Sequence, residues 1–96
     1  MKRLWSAFTD DMDHCYFSGS NIVERHHIFC GDYKEASEKY GYIIPLTPDR
    51  HPNGASYNQK KYPGMDMYLK QLAQLHFEKN HGSREDFIEI FGKSRL

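Results

Sequence analysis

The sequence predicts a small α+β domain, and three observations carry that prediction. Ile22-Val23 leads into Arg25-His26-His27-Ile28-Phe29 as an extended, β-prone run just beyond the turn Ser18-Gly19-Ser20-Asn21. From Met65 to His81 apolar residues recur at spacings of three and four, the period of an amphipathic helix. Ser83-Arg84-Glu85-Asp86 then has the form of a capping box, with Asp in place of the usual Glu, and opens a last helix.

Taken in order, residues 1–12 form a short extension in which Trp5 and Phe8 can dock on the domain and Thr9-Asp10-Asp11 makes a turn. His14 to Phe17 is expected to be an aromatic strand, paired across the Ser18–Asn21 turn with Ile22 to His27 as a β-hairpin. Asp32 can cap a short helix from Tyr33 to Tyr40, and Gly41 stands where a helix C′ glycine belongs. Tyr42 to Leu46 is extended, with Pro45 arguing for an edge position. Thr47 to Gly54 is a polar loop, and Ala55 to Tyr62 starts a short helix that Pro63-Gly64 interrupts. On the long helix Tyr68, Leu69, Leu72, Leu75 and His76 define the expected apolar face, with His76 half-buried. Phe87, Ile88, Ile90 and Phe91 of the last helix can pack against it before Gly92 ends the element. Met65 and Met67 read as core filler and Cys30 as a small buried hydrophobe.

Composition narrows the function classes. Ninety-six residues make one domain whose core is small enough to lean on a metal, a disulfide or a partner. Thirteen basic residues balance thirteen acidic ones, which weighs against binding that relies on neutralising phosphates. The aromatic share of 15% can build a core and still leave anchors for a partner surface. Cys15 and Cys30 do not make a disulfide framework. With no apolar run long enough for a membrane span and no signal-peptide h-region, a cytoplasmic location with free thiols is the expectation.

His26-His27 is the chemical focus. In an extended chain neighbouring side chains point to opposite faces, so one imidazole can face a metal or the core while the other faces a cleft. Imidazole is a good ligand and a base titrating near neutral pH, which suits hydrolysis. The competing reading is a histidine pair in a polar hairpin with no chemical role.

The segments Arg25-His26-His27-Ile28-Phe29, Ser37-Glu38-Lys39-Tyr40-Gly41, Leu69-Lys70-Gln71-Leu72-Ala73-Gln74 and His81-Gly82-Ser83-Arg84-Glu85-Asp86-Phe87-Ile88, ending in Ile90-Phe91-Gly92, occur in an order that tips the balance. Together they resemble the HNH group of His-Me finger (ββα-metal) nucleases, and most of all the short HNH-like proteins of phages and prophages. The resemblance implies one HNH-like domain over residues 1–96. A His-Me finger of β-hairpin plus helix would span 13–62, with an additional C-terminal helical pair at 65–92. It makes His26 a ligand of the catalytic metal and His27 the general base that activates water. It also implies a structural zinc held by two knuckles.

At those positions the chain departs from the family. Cys15 matches the first zinc cysteine, but Ser18 stands at its partner position, Thr47 where a cysteine is expected, and Arg50 where a His-His pair should open, with His51 surviving beside it. Ser56 occupies the place of the helix histidine that would hold the catalytic metal, and Asn58 keeps the asparagine two places later. Hydroxyls are poor zinc ligands, and Arg50 brings a cation to a former metal position. Both metal sites are therefore expected to be degenerate, with no cofactor.

The resulting expectation is a phage-type, non-catalytic protein that binds a host protein and inhibits a bacterial defence system in the manner of anti-CRISPR proteins. A CRISPR-Cas component is then a candidate partner, and Tyr57, Tyr62 and Arg50 are candidate anchors. The alternative is a metal-dependent HNH endonuclease that cleaves DNA with zinc or magnesium, using Asp13, His14, Cys30, Asp49 or His81 as substitute ligands. Oligomeric state is left open by the sequence.

Overall fold

Strand β1 (Glu24–His27) pairs antiparallel with β2 (Ile43–Leu46), with Glu24 opposite Leu46 and His27 opposite Ile43. These strands belong to a computed structural model that describes residues 3–96. Three helices complete the α+β architecture: α1 (Lys34–Tyr40), α2 (Met65–Asn80) and α3 (Arg84–Phe91). Short 3-10 turns at Gly31–Tyr33 and Pro48–Arg50 lead into α1 and out of β2.

The class is the expected one, but the strand partner is not. His14 to Phe17 forms no strand. Cys15 N donates to Ser20 O at 2.8 Å and Gly19 N to Cys15 O at 2.9 Å, closing a tight loop. Only Tyr16 N reaches the sheet, donating to Pro45 O at 2.9 Å. Burial decides this pairing. Ile43, Ile44 and Leu46 are fully buried, whereas Tyr16 and Phe17 keep 41% and 40% of their surface exposed.

Asp32 is not the cap of α1 either. It lies within the preceding 3-10 turn, and Tyr33 stands at the N-cap without a capping side-chain bond. The buried Ser37 does more for this helix, because its hydroxyl donates to Phe29 O at 2.8 Å and accepts from Phe29 N at 3.0 Å. That double bond to the backbone ties α1 to the end of β1. Gly41 ends the helix at φ +74°, a left-handed turn in which a Cβ would stand 2.6 Å from the Trp5 ring. Its carbonyl accepts from Ala7 N at 2.7 Å, which docks the N-terminal segment.

On α2 the buried positions are Leu69, Ala73, Gln74 and Phe77, while Tyr68 and Leu75 of the expected face are exposed. The rotation follows from the C-terminal tail. Gln74 can be buried because its Oε1 accepts from Arg95 N at 2.7 Å and its amide donates to Ser94 Oγ at 3.0 Å and to Glu78 at 2.8 Å. Helix α3 opens with the expected capping box, Ser83 Oγ accepting from Asp86 N at 3.1 Å and Asp86 accepting from Ser83 N at 3.0 Å. It buries Phe87 and Phe91 one turn apart, and with Phe29, Tyr42 and Phe77 they form the aromatic centre of the core.

Three smaller expectations also give way. Residues 55–62 form turns, since Gly54 and Pro63-Gly64 leave too few residues between breakers to offset helix nucleation. Met65 packs against the core, but Met67 is exposed. Cys30, expected inside, is exposed at the start of the Gly31–Tyr33 turn. Among the described residues no helix is long and apolar enough to cross a membrane.

Candidate functional site

The loop around Cys15 gathers three of the expected zinc-type positions. The thiol is buried, and burial alone would raise its pKa. Hydrogen bonds from the Ser18 side chain and from backbone N–H groups of Ser18, Thr47 and Phe17 outweigh that and bring it down to about 7. Arg50 joins through Thr47, its guanidinium donating to Thr47 Oγ1 at 2.8 Å and lying 4.4 Å above the Tyr62 ring. One thiol, two hydroxyls and a cation are not a donor set that fits zinc.

His51 turns away from this group. Its Nδ1 sits 2.6 Å from Glu24 Oε1 on β1, and its ring stands edge-on to His26 at 4.8 Å between centroids. The two adjacent histidines of β1 divide as strand geometry requires. His26 is buried, only 2% exposed, while His27 is half-buried on the other face.

Burial pushes His26 down to about 4; His51, His27 and Lys70 act in the same direction and Asp66 opposes them. His26 is therefore neutral at pH 7. His27 is also lowered by burial and Lys34, with Glu38 opposing. Nε2 of both rings is buried without a hydrogen-bond partner in the protein. The nearest carboxylate to His27 Nε2 is Glu38, at 3.9 Å, beyond hydrogen-bond reach.

An orphaned imidazole nitrogen is what a metal would use, and because the two lie on opposite faces of β1, completion of a donor set around either one decides the fit. Ser56 is exposed and shares no hydrogen bond with either histidine. Asp66 is held by Lys70 at 2.9 Å. Of the other candidate ligands, Asp13 pairs with Arg25 at 3.1 Å and His14 with Asp11 at 2.7 Å. Cys30 accepts from Asn53 at 3.7 Å, Asp49 lies 3.9 Å from Arg50, and His81 stacks among Tyr40, His76 and Phe77. Among the described residues no three His, Cys, Asp or Glu side chains gather as a metal site would need.

The expected binding anchors are committed internally. Tyr57 donates its hydroxyl to the Tyr62 carbonyl, and Tyr62 lies beneath Arg50, so Tyr57, Tyr62 and Arg50 form one clamp across the loop. Four aromatic side chains face outward among the described residues: Trp5, and a group of Tyr16 and Phe17, in edge contact at 5.2 Å, with Tyr68 6.3 Å from Phe17. The signal of that group in the sequence is the adjacent pair Tyr16-Phe17 immediately before the turn residues Ser18-Gly19. Comparison with protein-family models, with curated proteins and with solved structures finds no match to the chain.

Proposed function

We propose that this protein is a non-catalytic binding module, a finger-type α+β domain whose metal positions have become structural, and that it acts on a protein partner. The observation that carries the reading is Arg50, which bridges Thr47 Oγ1 and the Tyr62 ring beside the Cys15–Ser18 loop. A guanidinium fixed there supplies by hydrogen bonding and stacking the cross-link that a knuckle takes from zinc. The absence of net charge favours a protein partner over a phosphate backbone. On the resemblance in sequence, the partner is a host protein of a phage-infected cell, with inhibition of a defence system as the role.

A second reading, the metal-dependent nuclease, draws support from the unpartnered Nε2 atoms of His26 and His27. Among the described residues no third donor converges with His26 and His51 to hold the metal that would stabilise a phosphorane, since the neighbouring Glu24 is bonded to His51 Nδ1 at 2.6 Å. Metal content separates the two. Protein purified without added metal should carry well under one zinc per chain and keep its far-ultraviolet circular dichroism in EDTA. Stoichiometric zinc, or unfolding by the chelator, would refute the structural role assigned to Arg50.

A further inference from the structure

Residues 3–9 run without helix or strand, and a few contacts hold them to the domain. Ala7 N donates to Gly41 O at 2.7 Å, and the Trp5 ring covers Gly41 so closely that a Cβ there would meet it at 2.6 Å. Phe8 is a further anchor. Its ring stacks on Tyr42 at 6.0 Å between centres and meets the His76 ring of α2 edge-on at 5.4 Å. A segment tied down in this way belongs to the least stable part of a fold.

The Tyr42 hydroxyl meets His76 Nδ1 at 3.1 Å. Burial, with Tyr40 adding to it, pushes that phenol well above its ordinary pKa, so it keeps its proton. Among the described residues the hydroxyl has no other acceptor, so it donates, Nδ1 accepts and the ring's own proton sits on Nε2. Protonation of His76 would take that acceptor away. Burial already disfavours the cation, and His81, 5.5 Å away, and Lys79 act in the same direction. Tyr40 reaches this group through Tyr42 and His81, and the N-terminal segment brings the uncharged Phe8 against the ring. Aromatic faces return part of the cost by attracting a cation, but the net shift is downward.

We propose that the Tyr42–His76 contact is a pH-sensitive latch on the N-terminal segment. An imidazolium at His76 swings away from Tyr42 toward solvent, Phe8 loses the ring against which it stands, and residues 3–9 lift from Gly41 and Tyr42. The sign follows from the two surroundings of the ring. Docked, His76 resists protonation; released, it regains the ordinary value of 6.5. The released form therefore takes the proton more readily, so docking is fully favoured above 6.5 and weakens as pH falls below it. Because α2 keeps its other core contacts, the opening is local. This device is independent of the binding-module reading.

Trp5 is the only tryptophan of the chain and is 49% exposed when docked, so quenching of its fluorescence by acrylamide reports release. On acidification below 6.5 the quenching should rise roughly twofold while far-ultraviolet circular dichroism holds constant. Over the same range the Ala7 amide should lose its protection from hydrogen exchange, and the imidazole resonances of His76 should titrate with the same midpoint. His76→Gln keeps an acceptor for Tyr42 and removes the titrating group, so its quenching should stay flat. Tyr42→Phe removes the donor that favours neutral His76 and should move the midpoint to higher pH. The proposal is overturned by release that appears only together with loss of circular dichroism, by no release, or by an unchanged transition in either folded variant. A midpoint that does not follow the His76 resonances overturns it equally, and that measurement on the native chain decides the matter if a variant does not fold.

Discussion

Replacing Phe29 with Ala should destabilise the domain by about 3–5 kcal/mol, the range for deleting a buried aromatic ring. Phe29 is 1% exposed and stands where the chain leaves β1. Its ring centre lies 4.4 Å from Phe91, 5.7 Å from Phe87 and 6.3 Å from Tyr42, and the Arg95 guanidinium covers it at 5.1 Å. Removing the ring leaves a cavity bordered by α3, β2 and the C-terminal tail at once. No neighbouring element can relax into it without giving up its own contacts. A domain of this length has a total stability of roughly 5–14 kcal/mol, so the loss takes at least about a fifth of it and at the lower end all of it. Urea denaturation of the variant measures the change. A loss below about 1 kcal/mol would mean that the aromatic cluster does not hold this fold together.

The second large effect is a loss of stability in mild acid that originates at His26. Its pKa in the folded protein is about 4, against an ordinary value of 6.5. Between those values the unfolded chain binds a proton on this residue that the folded chain does not, so stability falls as pH falls across that window. The contribution of His26 is fully present above 6.5 and lost as pH drops through the window, amounting in total to about 3 kcal/mol. His27 and His76 are both lowered by burial and act with the same sign. The exposed carboxylates of Asp11, Asp49, Glu78 and Asp86 are also lowered, and their smaller contributions disappear only as pH falls through the carboxylate range. His26→Gln removes the titrating group and should flatten the decline between neutral pH and the lower edge of the window. Urea midpoints for both proteins across that range provide the check, and an equally steep decline in the variant would refute the assignment.

What the sequence made legible was the local part of this structure. The capping box at Ser83 and Asp86, the glycine stop at Gly41 and the long helix from Met65 all depend on residues within a few positions of one another. The opposite facing of His26 and His27 follows from strand geometry alone. The meeting of Cys15, Ser18, Thr47 and Arg50 was not legible in the spacing, because nothing there brings residue 15 to residue 47.

The features that sequence reasoning missed are long-range. The strand partner of β1 was set by the burial of Ile43, Ile44 and Leu46, which outweighs the short loop that would favour Tyr16 and Phe17. Gln74 looks like a solvent-facing residue until Ser94 and Arg95 arrive to satisfy it. His51, read as a remnant of a zinc knuckle, lies instead between Glu24 and His26 across the sheet. The docking of Trp5 and Phe8 was expected, but its place was not: the N-terminal segment folds back onto Gly41, a contact that no periodicity encodes.

DNA cleavage tests the central claim most directly. Purified protein is incubated with supercoiled plasmid and with single-stranded DNA in magnesium, manganese or nickel, alongside His27→Ala. A binding module whose metal positions are structural leaves both substrates intact, and the native chain is indistinguishable from the variant. Metal-dependent nicking by the native chain that His27→Ala abolishes would contradict it, and would make His26 and His27 parts of a working hydrolytic site.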